Sequence, residues 1–244
     1  MRGARLPHFR FAVEVAVLQR LIGPLVFGAL GTAILVGLGL WQLDRLAWKK
    51  VVLAQIEARI AAEPVSVPVQ PDPETDGYLP VRAMGALVGP ELHVLISTKE
   101  LGAGYRVIQA LETAAGRIMV DRGYIPLAAK DAVRLGGAVE LTGNLHWPDE
   151  VDRWTPAPDM ARAIWFARDV PAMAAALGAA PVLLIARSEV GLEASGLTPL
   201  PVDSGDIPNN HLQYVITWFS LAAIWVIMTT YFIMRMRRAQ RTET

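Results

Sequence analysis

In 244 residues, 23 basic side chains balance 23 acidic ones, 53% are hydrophobic, and there is no cysteine. The missing thiol excludes disulfides, C-x-x-C-H haem attachment, thiol redox chemistry and thiolate copper sites. The charge is zero only in sum: residues 1–20 and 235–244 each hold four arginines against one glutamate, net +3, so residues 21–234 carry −6.

Residues 21–41 are uncharged, and so are residues 212–234. About 20 apolar residues suffice to cross a bilayer, so both segments are predicted to span one. Basic residues mark the cytoplasmic side, which puts both termini in the cytoplasm and the region between them outside. The expected division is a cytoplasmic N-terminus (1–20), a first span (21–42), an extracytoplasmic domain (43–209), a second span (210–234) and a cytoplasmic tail (235–244). The first span is longer than the core of a signal peptide, and no A-x-A site with a polar break follows it, so it reads as an anchor. The N-terminus lacks the serine-rich character of a mitochondrial presequence. The expected location is the inner (plasma) membrane of a bacterial cell.

Beyond the first span, Leu43, Leu46, Val52, Ile56 and Ile60 recur at helical spacing, so the helix is predicted to continue until Pro64 stops it. The proline-rich stretch 65–77 reads as a linker filled with turns. Short strands are predicted at 79–88, 91–97, 105–111, 117–120, 138–146 and 181–188, with a hairpin loop over 113–116. Asp169 suits the N-cap of a short helix 170–177 that Gly178 ends. A loop rich in Gly and Pro, 191–208, leads to the second span. The fold class is membrane α+β: two transmembrane helices flank an extracytoplasmic, mainly antiparallel β domain with short helices. Asp121, Asp149, Glu150 and Asp169 read as turn or capping residues. No catalytic residue is assigned and no enzyme is expected. Asp121–Arg122 and Arg168–Asp169 read as structural pairs at turns, with partner docking as the alternative.

The two spans run antiparallel, so Trp41, Gln42 and Arg45 are expected at the level of His211, Gln213 and Tyr214. Trp41, Trp48, Tyr214 and Trp218 suit an interfacial aromatic belt, and Arg45, Lys49 and Lys50 suit lipid head groups. On the second span His211, Tyr214 or Val215, Trp218, Ala222 and Trp225 share a stripe. On the first, Ala29, Ala33 and Gly37 have small-xxx-small spacing for close helix approach. Asn209 or Asn210 is a suitable N-cap, which leaves His211 in the first helical turn. Two readings stand side by side. The residues are ordinary membrane-boundary anchors, or they hold a flat apolar ligand with a central metal and anionic edges, which describes haem with His211 axial.

These residues resemble the surfeit locus protein 1 family of cytochrome c oxidase assembly factors. The likeness is carried by L-G-L-W-Q-L-D-R at 38–45 with Lys49, G-Y-R-V at 104–107, V-D-R-G-Y-I-P at 120–126, W-F-A-R-D at 165–169 and P-N-N-H-L-Q-Y-V-I-T-W-F at 208–219. Tyr124 stands where many members have Trp or Phe. The resemblance implies a non-catalytic helper that assists haem a delivery or insertion into the catalytic subunit of haem–copper cytochrome c oxidase. It implies haem a as a transient ligand, with His211 at the position of the family's proposed iron ligand. Trp41, Gln42 and Arg45 carry over as motif positions without an agreed role, and Tyr214 and Trp218 fall within the second-span motif. Expected partners are the oxidase catalytic subunit, haem A synthase as haem donor, and membrane lipid, with no nucleic acid. The rival reading is a structural clamp that stabilises an oxidase intermediate without binding haem. A membrane-anchored sensor is disfavoured, because ten residues after Met234 are too few for a signalling module.

Overall fold

The computed structural model describes residues 7–192, 196–205 and 207–242. Arg2, Arg5 and Glu243 of the charge argument lie outside that set, as do the side chains of Arg10, Glu14, Arg20 and Arg241. The chain divides into two units, Met1–Val52 with Ile207–Thr244, and Leu53–Asp206.

In the Leu53–Asp206 unit the strands close on themselves. β2 (Pro80–Thr98) pairs antiparallel with β3 (Gly102–Thr113), and β3 with β4 (Gly116–Pro126). β4 runs parallel to β7 (Leu183–Val190), β7 pairs antiparallel with β5 (Gly137–Leu145), and β5 returns to β2. The result is a five-stranded barrel, β2–β3–β4–β7–β5, in which every ring strand has two neighbours. Two-residue strands β1 (Val65–Ser66) and β6 (Ile164–Trp165) add parallel to β2. The sheet is therefore mixed: the long ladders are antiparallel, as expected, and β4–β7 is a parallel join. The predicted strands 79–88 and 91–97 are one strand, β2, whose register shifts between Val88 and Leu92 at the Gly89-Pro90 step. Such a bulge bends a strand without ending it.

All five ring strands contribute to one apolar cluster, including Val81, Leu111, Val120, Leu141, Leu145 and Leu184, which fills the lumen. The opposite faces of β2, β3, β4 and β7 form a second cluster under α3 (Val170–Leu177). The α3 helix starts and stops as predicted: Asp169 Oδ1 accepts from Ala172 N at 3.1 Å, and Gly178 is left-handed at φ 59°. Gly143 is required by close approach, since a Cβ there would stand 2.1 Å from the Ile185 carbonyl oxygen. A short helix, α2 (Pro73–Asp76), interrupts the predicted linker.

The other unit consists of the apolar parts of two helices. α1 (Pro7–Ile60) is continuous for 54 residues, so the helical spacing beyond Trp41 was a sound signal. Its last turns belong to the barrel unit, where Asn144 Nδ2 and Arg187 Nη1 donate to the Ile60 carbonyl at 3.2 and 3.3 Å. α4 (His211–Thr242) is the second helix. Both are long and apolar enough to cross a membrane.

The stripe predicted on the second helix packs: Val215 and Ala222 are buried, with Tyr214 turned outward. The small-residue face noted on the first helix, which suits packing within the chain or between chains, is not the one that meets α4. Ala29, Ala33 and Gly37 are exposed, and a Cβ on Gly37 would meet nothing within 4 Å. The packing face instead runs through Gly28, Gly31, Gly39 and Gln42. A Cβ on Gly28 would lie 2.3 Å from Thr229 Cγ2, and one on Gly31 would lie 2.4 Å from Trp225 Nε1. Two sets of small residues are staggered on α1, and the set facing the bulky Trp225 and Phe219 wins because those rings need the missing side chains.

Candidate functional site

The Asn210 carbonyl accepts from Tyr214 N at 3.3 Å, so α4 opens there and His211 stands in its first turn. On α1 the packing series ends at Gln42, which is only 8% exposed. The two side chains meet: Gln42 Oε1 lies 2.8 Å from His211 Nδ1. An amide oxygen only accepts, so Nδ1 donates to it, and in the neutral ring this tautomer leaves the lone pair on Nε2. This is the arrangement in which a second residue fixes the tautomer and orientation of a metal-binding histidine.

The remaining predicted site residues are less closely gathered. Trp218 is half-buried, and its indole Nε1 is buried with no hydrogen-bond acceptor among the described residues. Asn209 Oδ1 beside His211 in sequence is likewise buried and unpaired. Trp41 and Tyr214 are about half exposed, at 55% and 51%. The Arg45 guanidinium lies 4.2 Å over the ring of Trp48 on its own helix. Deeper along the pair, Trp225 Nε1 donates to the Gly28 carbonyl at 3.1 Å, which also accepts from Thr32 Oγ1 at 2.8 Å. Among the described residues no group of three His, Asp or Glu side chains could hold a metal ion.

The sequence reading missed a charged constellation in the barrel. Asp121 and Arg122 are not at a turn. They lie inside β4 and are buried, Asp121 fully and Arg122 to 2% exposure. Docking through them is therefore also ruled out. Arg122 reaches Glu189 through Nε at 3.0 Å and Nη2 at 2.6 Å, and Gln109 through Nη1 at 3.0 Å. Glu91 sits 3.6 Å from Arg122 and receives Arg134 Nε at 2.8 Å. Burial pushes the Glu91 carboxyl up, but bonds with His93 and Arg134 outweigh it and hold it below the ordinary range.

On the other side of β4, Asp121 accepts from Arg106 Nη1 at 2.7 Å, with Arg168 Nη1 3.7 Å away. Arg168 in turn holds Glu150, through Nε at 2.9 Å and its own backbone N–H at 2.8 Å. Glu150 is thus an ion-pair partner and not a turn residue. His146 nearby is pushed down to about 4, first by burial and then by the Arg168 charge. The available signal was a charged pair in V-D-R-G-Y-I-P between unbroken apolar residues, since charges inside a strand core demand partners.

The model of the SURF1 family matches residues 29–223, which take in Gln42, the whole barrel and His211. The chain belongs to the SURF1 family. Surfeit locus protein 1 of Homo sapiens is 29% identical over 77% of this chain and 70% of its own length. The protein of the same name in Gallus gallus is 30% identical over 76% and 67%, and a SURF1-like protein of Monosiga brevicollis is 32% identical over 79% and 80%.

The SURF1 family is therefore the one that the motifs resembled, and the fold shows what each motif builds. W-Q-L-D-R lies on α1 and presents Gln42 inward. G-Y-R-V and V-D-R-G-Y-I-P are β3 and β4, the strands that carry Arg106, Asp121 and Arg122. W-F-A-R-D joins β6 to the cap of α3, and P-N-N-H-L-Q-Y begins α4 at His211.

Proposed function

We propose that this protein holds haem a at the outer face of the bacterial inner membrane and hands it to the catalytic subunit of cytochrome c oxidase. Membership of the SURF1 family, a family of cytochrome oxidase assembly factors, supports the assembly role. The observation that carries the haem reading is the Gln42–His211 hydrogen bond, which leaves Nε2 as the ligating atom. The donor set fits: one histidine would suit a metal that arrives already chelated by a macrocycle, and His211 would hold it through Nε2. Trp218, whose indole N–H has no acceptor among the described residues, stands within two turns of His211.

In this reading Gln42 orients the ring, His211 supplies one exchangeable bond, and Trp41 and Tyr214 offer aromatic surface to the porphyrin. Arg45 and Lys49 would supply cations for its anionic edge. A single protein ligand permits release to the oxidase, where two firm ones would trap the haem. The donor is haem A synthase, and lipid covers the rest of the helix pair. Spans at 21–42 and 210–234, with both termini cytoplasmic, put residues 43–209 and this helix end on the outer side. No bond of the porphyrin is made or broken, so the role is that of a chaperone and not of an enzyme.

The test is an absorption spectrum of the full-length protein purified from cells that make haem a, and of His211→Ala. A haem a spectrum that loses its histidine-ligated form in the variant supports the reading. Absence of haem from the wild type, with oxidase maturation still dependent on the protein, establishes the structural clamp instead.

A further inference from the structure

Two open apolar grooves run end to end along one flank of the helix pair. The first, about 310 Å³, is lined by Gly31, Ile34, Leu221 and Ile224, with Trp225 and Met228 at one end. The second, about 460 Å³, shares Trp225 and Met228 and continues to Pro24, Phe27 and Phe232. Trp225 is their common wall. Its indole is held by the Gly28 carbonyl and seated against Gly31, so the wall is fixed by the packing of the pair.

The grooves share a flank with the site above. In helices packed on a seven-residue repeat, positions seven apart keep the same side. Trp41 lies seven residues on from Ile34, and Tyr214 lies seven before Leu221. Both are half exposed, and each stands two turns, about 10 Å, from the groove on its own helix. By that spacing Trp41 and Tyr214 lie on the flank of the groove, toward the His211 end.

We propose that this groove receives the isoprenoid tail of a porphyrin whose ring lies at His211. The ligand class is then a haem with a long alkyl substituent, haem a or haem o, in preference to haem b. The proposal rests on the His211 reading above and adds a specificity subsite to it. Lipid tails are as apolar as an isoprenoid chain, so the groove gains little by hydrophobic transfer. Its contribution is shaped dispersion contact, delivered to a chain already tethered at the ring. Haem o has the tail but lacks the formyl group of haem a, so it separates recognition of the tail from recognition of the ring edge.

The full-length protein in phosphatidylcholine nanodiscs is titrated with haem a, haem o and haem b, with the Soret band as readout. Haems a and o are expected to bind the wild type at least about tenfold more tightly than haem b. Ile224→Trp and, separately, Leu221→Trp fill the groove from exposed positions outside the buried stripe. Each is expected to lower affinity for haems a and o to that of haem b, while haem b binding and the axial-ligand spectrum stay unchanged. Equal wild-type affinities for the three haems overturn the tail assignment and leave the His211 reading standing. So do variants that weaken all three alike. If the variants shift only the co-purified phospholipid or the oligomer mass, the groove belongs to lipid or to a second copy and the proposal fails. If no haem binds the wild type, both readings fall.

Discussion

Gln42 and His211, 169 positions apart in the chain, share a 2.8 Å hydrogen bond at the end of the helix pair. Gln42 is the last inward position of the α1 packing series and His211 is in the first turn of α4, so the bond exists only if the helices run antiparallel in this register. Replacing the amide with an isosteric apolar group removes the acceptor and frees the ring to rotate. With His211 as the proposed haem ligand, Gln42→Leu is expected to weaken haem a binding by about 10–100-fold, the usual cost of losing a partner that orients a metal-binding histidine. Soret titration of the variant measures this. Unchanged affinity would separate Gln42 from the ligand site.

The register is open to a covalent test that the composition makes clean, because no native cysteine competes. A Cβ placed on Gly28 would lie 3.2 Å from Thr229 Cβ, close to the separation spanned by a disulfide. Gly28→Cys with Thr229→Cys is expected to form an internal disulfide on mild oxidation, seen as a mobility shift reversed by reductant. Gly37→Cys with Thr229→Cys is expected to stay reduced, because Gly37 faces away from α4.

Arg122 is enclosed in the barrel, with Glu189 and Glu91 as its counter-charges. Removing it leaves Glu189 without its cation and Gln109 without its donor, while Glu91 keeps Arg134. Arg122→Leu should therefore destabilise the barrel by about 3–5 kcal/mol. The half-exposed Arg117–Glu112 pair, 3.0 Å apart, is the control, and Arg117→Leu should cost about 0–1 kcal/mol. Urea unfolding followed by tryptophan fluorescence gives both values.

The barrel is also expected to weaken in mild acid. The folded value of His146, about 4, lies below the ordinary 6.5, so the unfolded chain takes up a proton that the folded chain refuses. The stability from the neutral ring is complete above pH 6.5 and is lost as the pH falls to about 4. Against the pull of burial, Glu91 is held low by His93 and Arg134 and Glu150 by Arg168, so their contributions are lost only below the ordinary carboxylate value of 4.5. Asp121, which burial pushes up, works in the opposite direction. The thermal midpoint of the wild type should fall between pH 6.5 and 4.5, and His146→Gln should flatten that slope. Identical slopes would remove His146 from the account.

Local chemistry was the legible part of this chain. Asp169 and Gly178 bracket α3 because capping needs only neighbours in sequence, and the 113–116 hairpin needs only its own loop. The α4 stripe was legible because a tryptophan-rich face has one periodic solution. The α1 face was not, since Ala29–Ala33–Gly37 and Gly28–Gly31–Gly39 are both small and only the partner helix chooses between them. Closure of the barrel was hidden because β4 and β7 are separated by more than 50 residues, and strand composition does not name a strand's neighbour. Asp121 and Arg122 were read as a turn because most of their ion-pair partners, Glu91 on β2, Arg168 before α3 and Glu189 on β7, are distant in sequence and meet them only in the folded barrel.

The parallel β4–β7 join also sets the order in which the barrel becomes complete. β2, β3 and β4 form a local meander as soon as residue 126 is available, but the outer edge of β4 has no neighbour until β7 arrives near residue 183. β5 precedes β7 and pairs with β2, so the last gap to be sealed is the one between β4 and β5, which stays open until β7 arrives from further along the chain. Throughout synthesis an unpaired strand edge persists, with the hazard of pairing with another chain. A chain cut before Leu183 keeps that edge permanently, so loss of the last quarter of the sequence exposes a sticky β4 as well as removing the second helix.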